Sequence, residues 1–442
     1  MHAGWLTTLS LALTLVAACD TSQAQTTTGA EEAWGLHGQA TYVWQTKPAF
    51  RAAYSGTNSL KAQREKSYSF TATAAAGLRP WQGGELYLNA ELVQGVPLSN
   101  LTGLGGLSNG ELQKTAGSRA KLYRSRAFLR QSWGLGDERE ALESDFNQLA
   151  GNQAARRVVL TAGNLAVSDI FDENRYAHDA RTNFLNWAFL THGHYDFAAD
   201  SRGYSNGAAL EWIDTGWALR GGRFAVPRES NGLVLDGRLG SRYGDQIELE
   251  RQHSLGGREG KLRLLLFRNV AEMARLDDAL AQGVATGSVP RLDGVRRLQS
   301  KRGWGLALEQ DISSGLGGFV RAGRNDGKTE VYSFASIDNA ASAGLVWKGA
   351  TWGRVGDEFG LALASQGLSP SHRRFLAASG SDFFIGDGAL RYGRETIIEA
   401  VYTAAVAPRM WMAVDLQQIR NPAYNRDRGP VQLWALRLHA EL

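Results

Sequence analysis

The chain has 442 residues, beyond the ~250–300 at which one soluble core usually stops growing, so it is either several soluble domains or one large closed sheet that needs no solid core. Its net charge of +4 comes from interspersed acids and bases, with no basic tract, which argues against a nucleic-acid partner. A mean hydropathy of −0.29 excludes a helical membrane protein but not a barrel, whose strands hide one face from lipid.

The first element is a targeting segment. Leu6 to Ala18 is apolar and too short to span a bilayer. Cleavage after Ser22-Gln23-Ala24 makes residues 1–24 a secretory signal and 25–442 the mature domain. The rival reading is a lipoprotein box, Val16-Ala17-Ala18-Cys19, followed by Asp20. Cys19 is the only cysteine, so ordinary cleavage leaves no thiol for disulfides or metal ligation.

Sixteen strands follow, over 36–45, 67–78, 84–94, 120–133, 157–166, 205–213, 216–225, 243–252, 260–268, 302–311, 317–325, 338–347, 353–364, 395–404, 409–418 and 430–442. The signal is alternation with a period of two. Gln246, Glu248, Glu250 and Gln252 share one face, and Ile247 and Leu249 take the other. Arg124, Arg126 and Arg130 share a face opposite Tyr123, Ala127 and Leu129. Charge on one face and aliphatics on the other suit a wall between water and lipid, which suggests an all-β, transmembrane antiparallel β-barrel in an outer membrane.

The connections alternate in length. Pro80–Gly83, Asp214-Thr215, Gly256–Gly260, Ser313–Gly315 and Val406–Pro408 are short and rich in turn formers. Between them lie the long segments 46–66, 95–119, 167–204, 226–242, 269–301 and 365–394. Outer-membrane barrels have this rhythm, with short periplasmic turns and long external loops. One connection breaks it: 134–156 carries Leu142, Phe146, Leu149 and Ala150 at helical spacing and is expected to form a short helix. The final strand places Trp434, Leu436, Leu438, Ala440 and Leu442 on one face, as expected of a strand that closes a barrel.

Inward parity selects the residues that would line the lumen. They are Tyr87, Asn89, Glu91, Arg124, Arg126, Arg130, Arg220, Gln246, Glu248, Glu250, Glu309, Asp311, Arg321, Asp415 and Gln417. Such a mixed-sign wall offers donors and acceptors together, which suits neutral polyols better than ions. The other reading is that these groups pair with one another across strands. Trp212, Trp304 and Tyr402 have outward parity and fit interfacial girdles, whereas Tyr87 and Trp411 have inward parity. Enzyme signals are poor: no G-x-S-x-G, H-E-x-x-H or phosphate loop is present, and His192-x-His194 has no third ligand at useful spacing. No cofactor or metal is expected.

Several segments resemble the carbohydrate-selective porin family, often called OprB-like. They are Gly83 to Glu91, Arg126 to Gln131, the long run Gly163 to Trp187, Asp415 to Pro422, Asn425 to Pro430 and Leu436 to His439. Ala90, Val414 and the terminal Leu442 depart from that pattern, where Pro, Pro and Phe are usual. The resemblance implies a sixteen-stranded barrel through which mono- or oligosaccharides diffuse passively. It also implies outer-membrane lipids and the barrel insertion machinery, acting through the C-terminal strand, as partners, and a monomer or homotrimer. A general porin or one for another small polar solute, or less readily a secreted soluble carbohydrate-binding β-protein, is the alternative. Within the 163–187 run, Asp169, Asp172, Asn174, Arg175, His178, Asp179 and Arg181 would either fold into the lumen as a constriction or form a salt-bridged network that pins the loop to the wall.

Overall fold

The computed structural model describes residues 31–114 and 117–442. The signal segment and Cys19 lie outside the described residues. In chain order the strands are β1 (Trp34–Lys47), β2 (Glu65–Trp81), β3 (Gly84–Val96), β4 (Gly117–Gly134), β5 (Arg139–Leu142), β6 (Gly151–Ala154), β7 (Arg157–Leu165), β8 (Ser205–Asp214) and β9 (Trp217–Phe224). They continue as β10 (Tyr243–Leu255), β11 (Arg258–Ala274), β12 (Arg296–Ser313), β13 (Leu316–Asn325), β14 (Asn339–Lys348), β15 (Glu358–Gly367), β16 (Glu395–Ala407), β17 (Met410–Arg420) and β18 (Val431–Glu441). Sixteen of these, all but β5 and β6, form one closed antiparallel barrel. Closure pairs β1 with β18, from Gln39 opposite Glu441 to Thr46 opposite Trp434. A closed ladder leaves no unpaired edge, which a sheet in hydrocarbon requires.

The outward face is apolar. Ile247, Leu264, Leu306, Val320, Leu363 and Ile398 are all exposed there, as lipid-facing side chains must be. Aromatics form two belts. Tyr42, Trp44, Tyr68, Tyr243, Trp304 and Trp434 stand toward the end with long loops; Trp81, Trp133, Trp212, Trp217, Phe359 and Tyr402 stand toward the end with short turns. Amphipathic rings prefer those two interfaces.

Three sequence expectations need correction. Residues 134–156 form no helix; β5 and β6 make a two-stranded hairpin. Its apolar residues are satisfied in another way, since Leu149 is buried and its N–H donates to the Tyr87 hydroxyl (3.2 Å). A bulge in β4 at Ser125 shifts the register against β3, so that Asn89 pairs with Arg126 but Ala90 pairs with Arg124. One extra residue reverses strand parity. Arg124 therefore faces outward and is exposed, while Tyr123 faces inward and donates to Glu91. The strand expected from 353 begins at Glu358, because Gly349–Trp352 is a tight 3-10 turn.

The long connections do not simply stand outside the barrel. Residues 166–204 fold into the lumen and bury Phe171, Leu185, Trp187, Leu190, Tyr195 and Phe197 against Phe334 and Ile337. The apolar core of this protein thus lies between loops inside the barrel. Inward-facing glycines make the room: a Cβ at Gly317 would stand 2.1 Å from the Tyr176 ring, and one at Gly305 would stand 2.4 Å from His192.

Candidate functional site

The inner loop is held by charged groups of the wall. On β9 to β12 these form a ladder: Arg220 bridges Glu248 (3.1 Å) and Glu250 (3.2 Å), and Arg263 bridges Glu250 (2.8 Å) and Glu309 (3.1 Å). Backbone N–H groups of the loop dock on that ladder, Asp172 donating to Glu248 (2.8 Å) and Arg175 to Glu309 (3.0 Å). Across the lumen, Glu399 accepts from the N–H groups of Leu185 (2.5 Å) and Asn186 (3.0 Å). Arg437 donates to the carbonyls of Ala180, Thr182 and Asn183. Loop backbone that would otherwise lack partners is thereby satisfied.

Arg321 is the central clamp. It donates to the Asp172 carboxylate (3.0 Å) and to the carbonyls of Ala177 (2.9 Å) and Phe189 (2.8 Å). The Arg321 and Asp172 side chains are 1% and 0% exposed. Burial pushes the Asp172 carboxyl up, but the Arg321 guanidinium outweighs it and holds the group below the usual carboxylate range. Asn174 caps the next turn, accepting from Tyr176 N–H (2.9 Å).

Between this loop and β4 a cavity of about 160 Å³ remains. Its lining holds four cations (Lys114, Arg126, Arg181, Arg202), three carboxylates (Glu111, Asp169, Asp179), His178, and the aromatic rings of Trp187, Phe197, Tyr204 and Phe334. Arg126 holds Asp169 in a two-point fork, at 2.7 and 2.6 Å. Arg181 donates to Glu111 (3.0 Å) and to Glu91. The Arg126 guanidinium lies 5.2 Å from the Tyr204 ring, and Trp187 stacks on Phe334 at 4.9 Å. Burial would raise the carboxyls of Asp169 and Asp179; Arg126 and Arg181 overcome it and keep both ionised. The cavity therefore presents fixed donors, fixed acceptors and apolar ring faces together.

Two wider spaces lie beyond the loop. One of about 710 Å³ is lined by Arg228, Glu272, Arg296, Glu330 and Asp382 near the ends with long loops. The other, about 390 Å³, lies near the short-turn end and includes Trp411, Arg437 and His439. Arg181 borders both that space and the narrow cavity.

Burial sorts the residues expected from sequence. Arg126, Asp169, His178, Asp179 and Arg181 meet at the narrow cavity. Glu91, Glu248, Arg321 and Asp415 face inward but lie under the loop, at 0 to 1% exposure, and Asn89 is likewise buried. Glu250 belongs to the ladder, and Arg175 pairs with Asp311 (3.1 Å) near the short-turn end. Tyr87 and Arg130 come together away from the cavity, with Arg130 5.2 Å from the Tyr87 ring. His192 and His194 are buried; burial lowers them to about 4 and about 3, so both are neutral at physiological pH. Among the described residues no cluster of His, Cys, Asp and Glu could hold a metal. Sequence reading missed Lys114, Arg202, Tyr204 and Phe334, which sit in connections with no periodicity to mark them.

A family model described as "Carbohydrate-selective porin, OprB family" matches residues 65–442. The fold is similar to the high-pH structure of Pseudomonas putida OprB, with a TM-score of 0.69 and 17% identity, covering 93% of this chain and 94% of that one. Acinetobacter baumannii OccAB1 is a more distant likeness, with a TM-score of 0.50 and 9% identity, covering 95% and 99%. At these identities the likeness is one of fold. No curated protein matches the chain significantly.

Proposed function

This chain belongs to the carbohydrate-selective porins of the OprB family, and we propose that the narrow cavity beside Arg126 is the constriction at which its sugars are selected. Family and fold imply the outer membrane, and residues 1–24 are read as the export signal that delivers the 25–442 barrel there. The single observation that carries the reading is the convergence of four cations, three carboxylates and four aromatic rings on one cavity of about 160 Å³.

A pyranose carries hydroxyls that both donate and accept, and C–H faces that pack on rings. Arg126, Arg202 and Lys114 offer donors to its oxygens, and Asp169 and Asp179 offer acceptors to its hydroxyl protons. Trp187 and Tyr204 offer apolar faces. These bonds replace part of the sugar's hydration. Because Arg126, Lys114 and Arg181 already hold carboxylate partners, each added bond is weak, so the sugar leaves again. No chemical step and no energy source enter this scheme.

Swelling of liposomes that contain the purified protein tests it, with mono- and disaccharides set against amino acids of similar size. Faster swelling with sugars is the expected result. Equal rates would remove selectivity from the cavity and favour a general porin. No swelling from a folded, inserted barrel would reject the channel.

A further inference from the structure

We propose that a row of outward-facing arginines at the long-loop end of the barrel binds the phosphates of a phosphorylated glycolipid in the outer leaflet. The row consists of Arg223, Arg268, Arg302, Arg324, Arg394 and Arg420, and all six are exposed.

Strand register places them side by side. Asp245 pairs with Arg223 on one side and Arg268 on the other, and Arg268 stands opposite Arg302. Arg324 pairs with Asn339, which also accepts from Arg394 (2.7 Å), and Arg420 stands opposite Thr396. Their chain neighbours Phe224, Asn269, Lys301, Asn325, Glu395 and Ile419 are all buried on the luminal side. Parity therefore turns the arginines to the outside.

Their level matches a headgroup layer. Arg302 lies two residues beyond Trp304 of the upper aromatic belt, and Arg324 pairs with that Trp. The Arg223 guanidinium packs 3.8 Å from the Tyr243 ring. Just inward come the lipid-facing Leu266 and Leu306.

The charge on this row is poorly neutralised by protein. Arg223 has Asp245 (2.7 Å). Among the described residues the guanidinium groups of the other five have no carboxylate in ion-pair range, although Asp326 accepts from the Arg302 backbone N–H (3.1 Å); the Arg268 side chain reaches only Ser300, and that of Arg394 only Ser365 and Asn339. Like charges placed opposite one another in a ladder repel, as Arg268 and Arg302 do. The luminal Arg126, Arg181, Arg220, Arg263, Arg321 and Arg437 of the same barrel are by contrast tied to acids or carbonyls. An external anion resolves the contrast. Arginine forks match phosphate oxygens in two-point contacts, and basic side chains at an anionic surface each add to lipid affinity. The row spans β9 to β17, nine adjacent strands of the sixteen, which suits a ring of lipid rather than one protein partner on one side.

The proposal rests on the outer-membrane reading, and its test separates the two. The full barrel in detergent is titrated with bisphosphorylated lipid A, with the same lipid dephosphorylated, and with inorganic phosphate, and bound lipid is counted by native mass spectrometry. Phosphorylated lipid should bind preferentially, free phosphate should not displace it, and added salt should weaken it. Each of Arg268→Gln, Arg302→Gln and Arg324→Gln should weaken binding roughly fivefold. Single-channel conductance should not change in these variants, because the side chains face away from the lumen. Equal binding of dephosphorylated lipid, or unchanged binding in all three variants, would overturn the proposal while leaving the channel intact. If one of these variants fails to fold, the other two decide. A wild-type barrel that binds the lipid but conducts nothing would count against the pore reading instead.

Discussion

Asp172→Ala removes the carboxylate that the central clamp holds. Arg321 is 1% exposed and would remain buried without its counter-ion. Breaking one side of a buried pair costs about 3–5 kcal/mol. Arg321 keeps the carbonyls of Ala177, Phe189 and Asp172, so the low end, about 3 kcal/mol, applies. The His192 N–H also loses its acceptor, at 2.5 Å. At about 1.4 kcal/mol per tenfold, opening of the inner loop should rise by roughly two orders of magnitude. The barrel ladder is untouched, so global unfolding should change little. Hydrogen exchange of amides 166–191 reads the loop, and heat-modifiable gel mobility reads the barrel. Single-channel traces should gain noise or a larger open state. Asp172→Asn should fall between, because its amide oxygen still accepts from the His192 N–H. The Asp172 carboxyl is held low against the opposing effect of burial. Its contribution is therefore present above pH ~3.9 and is lost only as pH falls through the lowered folded value. Unchanged loop exchange in Asp172→Ala, or a loss confined to barrel stability, would refute the clamp.

The bulge at Ser125 separates two neighbouring arginines. Arg126→Ala should change conductance and sugar block, with the barrel folded, because it frees Asp169 at the narrow cavity; Arg124→Ala should leave both unchanged, and equal effects would contradict the register. Gly317→Ala should displace the Tyr176 ring, which an added Cβ would approach to 2.1 Å, at a cost of about 1–3 kcal/mol; exchange near 174–178 should rise, and Tyr176→Ala should relieve it. His372 lies on the helix Pro370–Ala377 between Asp338 (3.0 Å) and Asp382 (3.1 Å). Burial pushes it down, but those two carboxylates outweigh burial and raise it to about 10. A raised value means that the stabilisation is complete below pH ~6.5 and disappears as pH climbs through about 10. Limited proteolysis within 368–388 should accelerate over that range, whereas His372→Gln should be cleaved readily at every pH; a flat wild-type profile would contradict the pairing.

Strand number and order were legible in the sequence because their signals are local. Each strand shows a two-residue alternation, and each short turn carries its own turn formers. Ile247 and Leu249 against Glu248 and Glu250 identify a wall between lipid and water without any partner strand. Local reasoning failed where one residue or one distant contact decided. The extra residue at Ser125 turned Arg124 outward, and nothing in its neighbours marks a bulge. Helical spacing in 142–150 was answered by a hairpin whose Leu149 packs at Tyr87, 62 residues away in sequence. The narrow cavity itself belongs to tertiary structure alone. Asp172 and Arg321 are 149 residues apart, and Arg181 reaches Glu91 across 90. Alternation told which side chains face inward, but only closure of the barrel and entry of the loop determined which of them are sealed beneath it and which still meet the lumen.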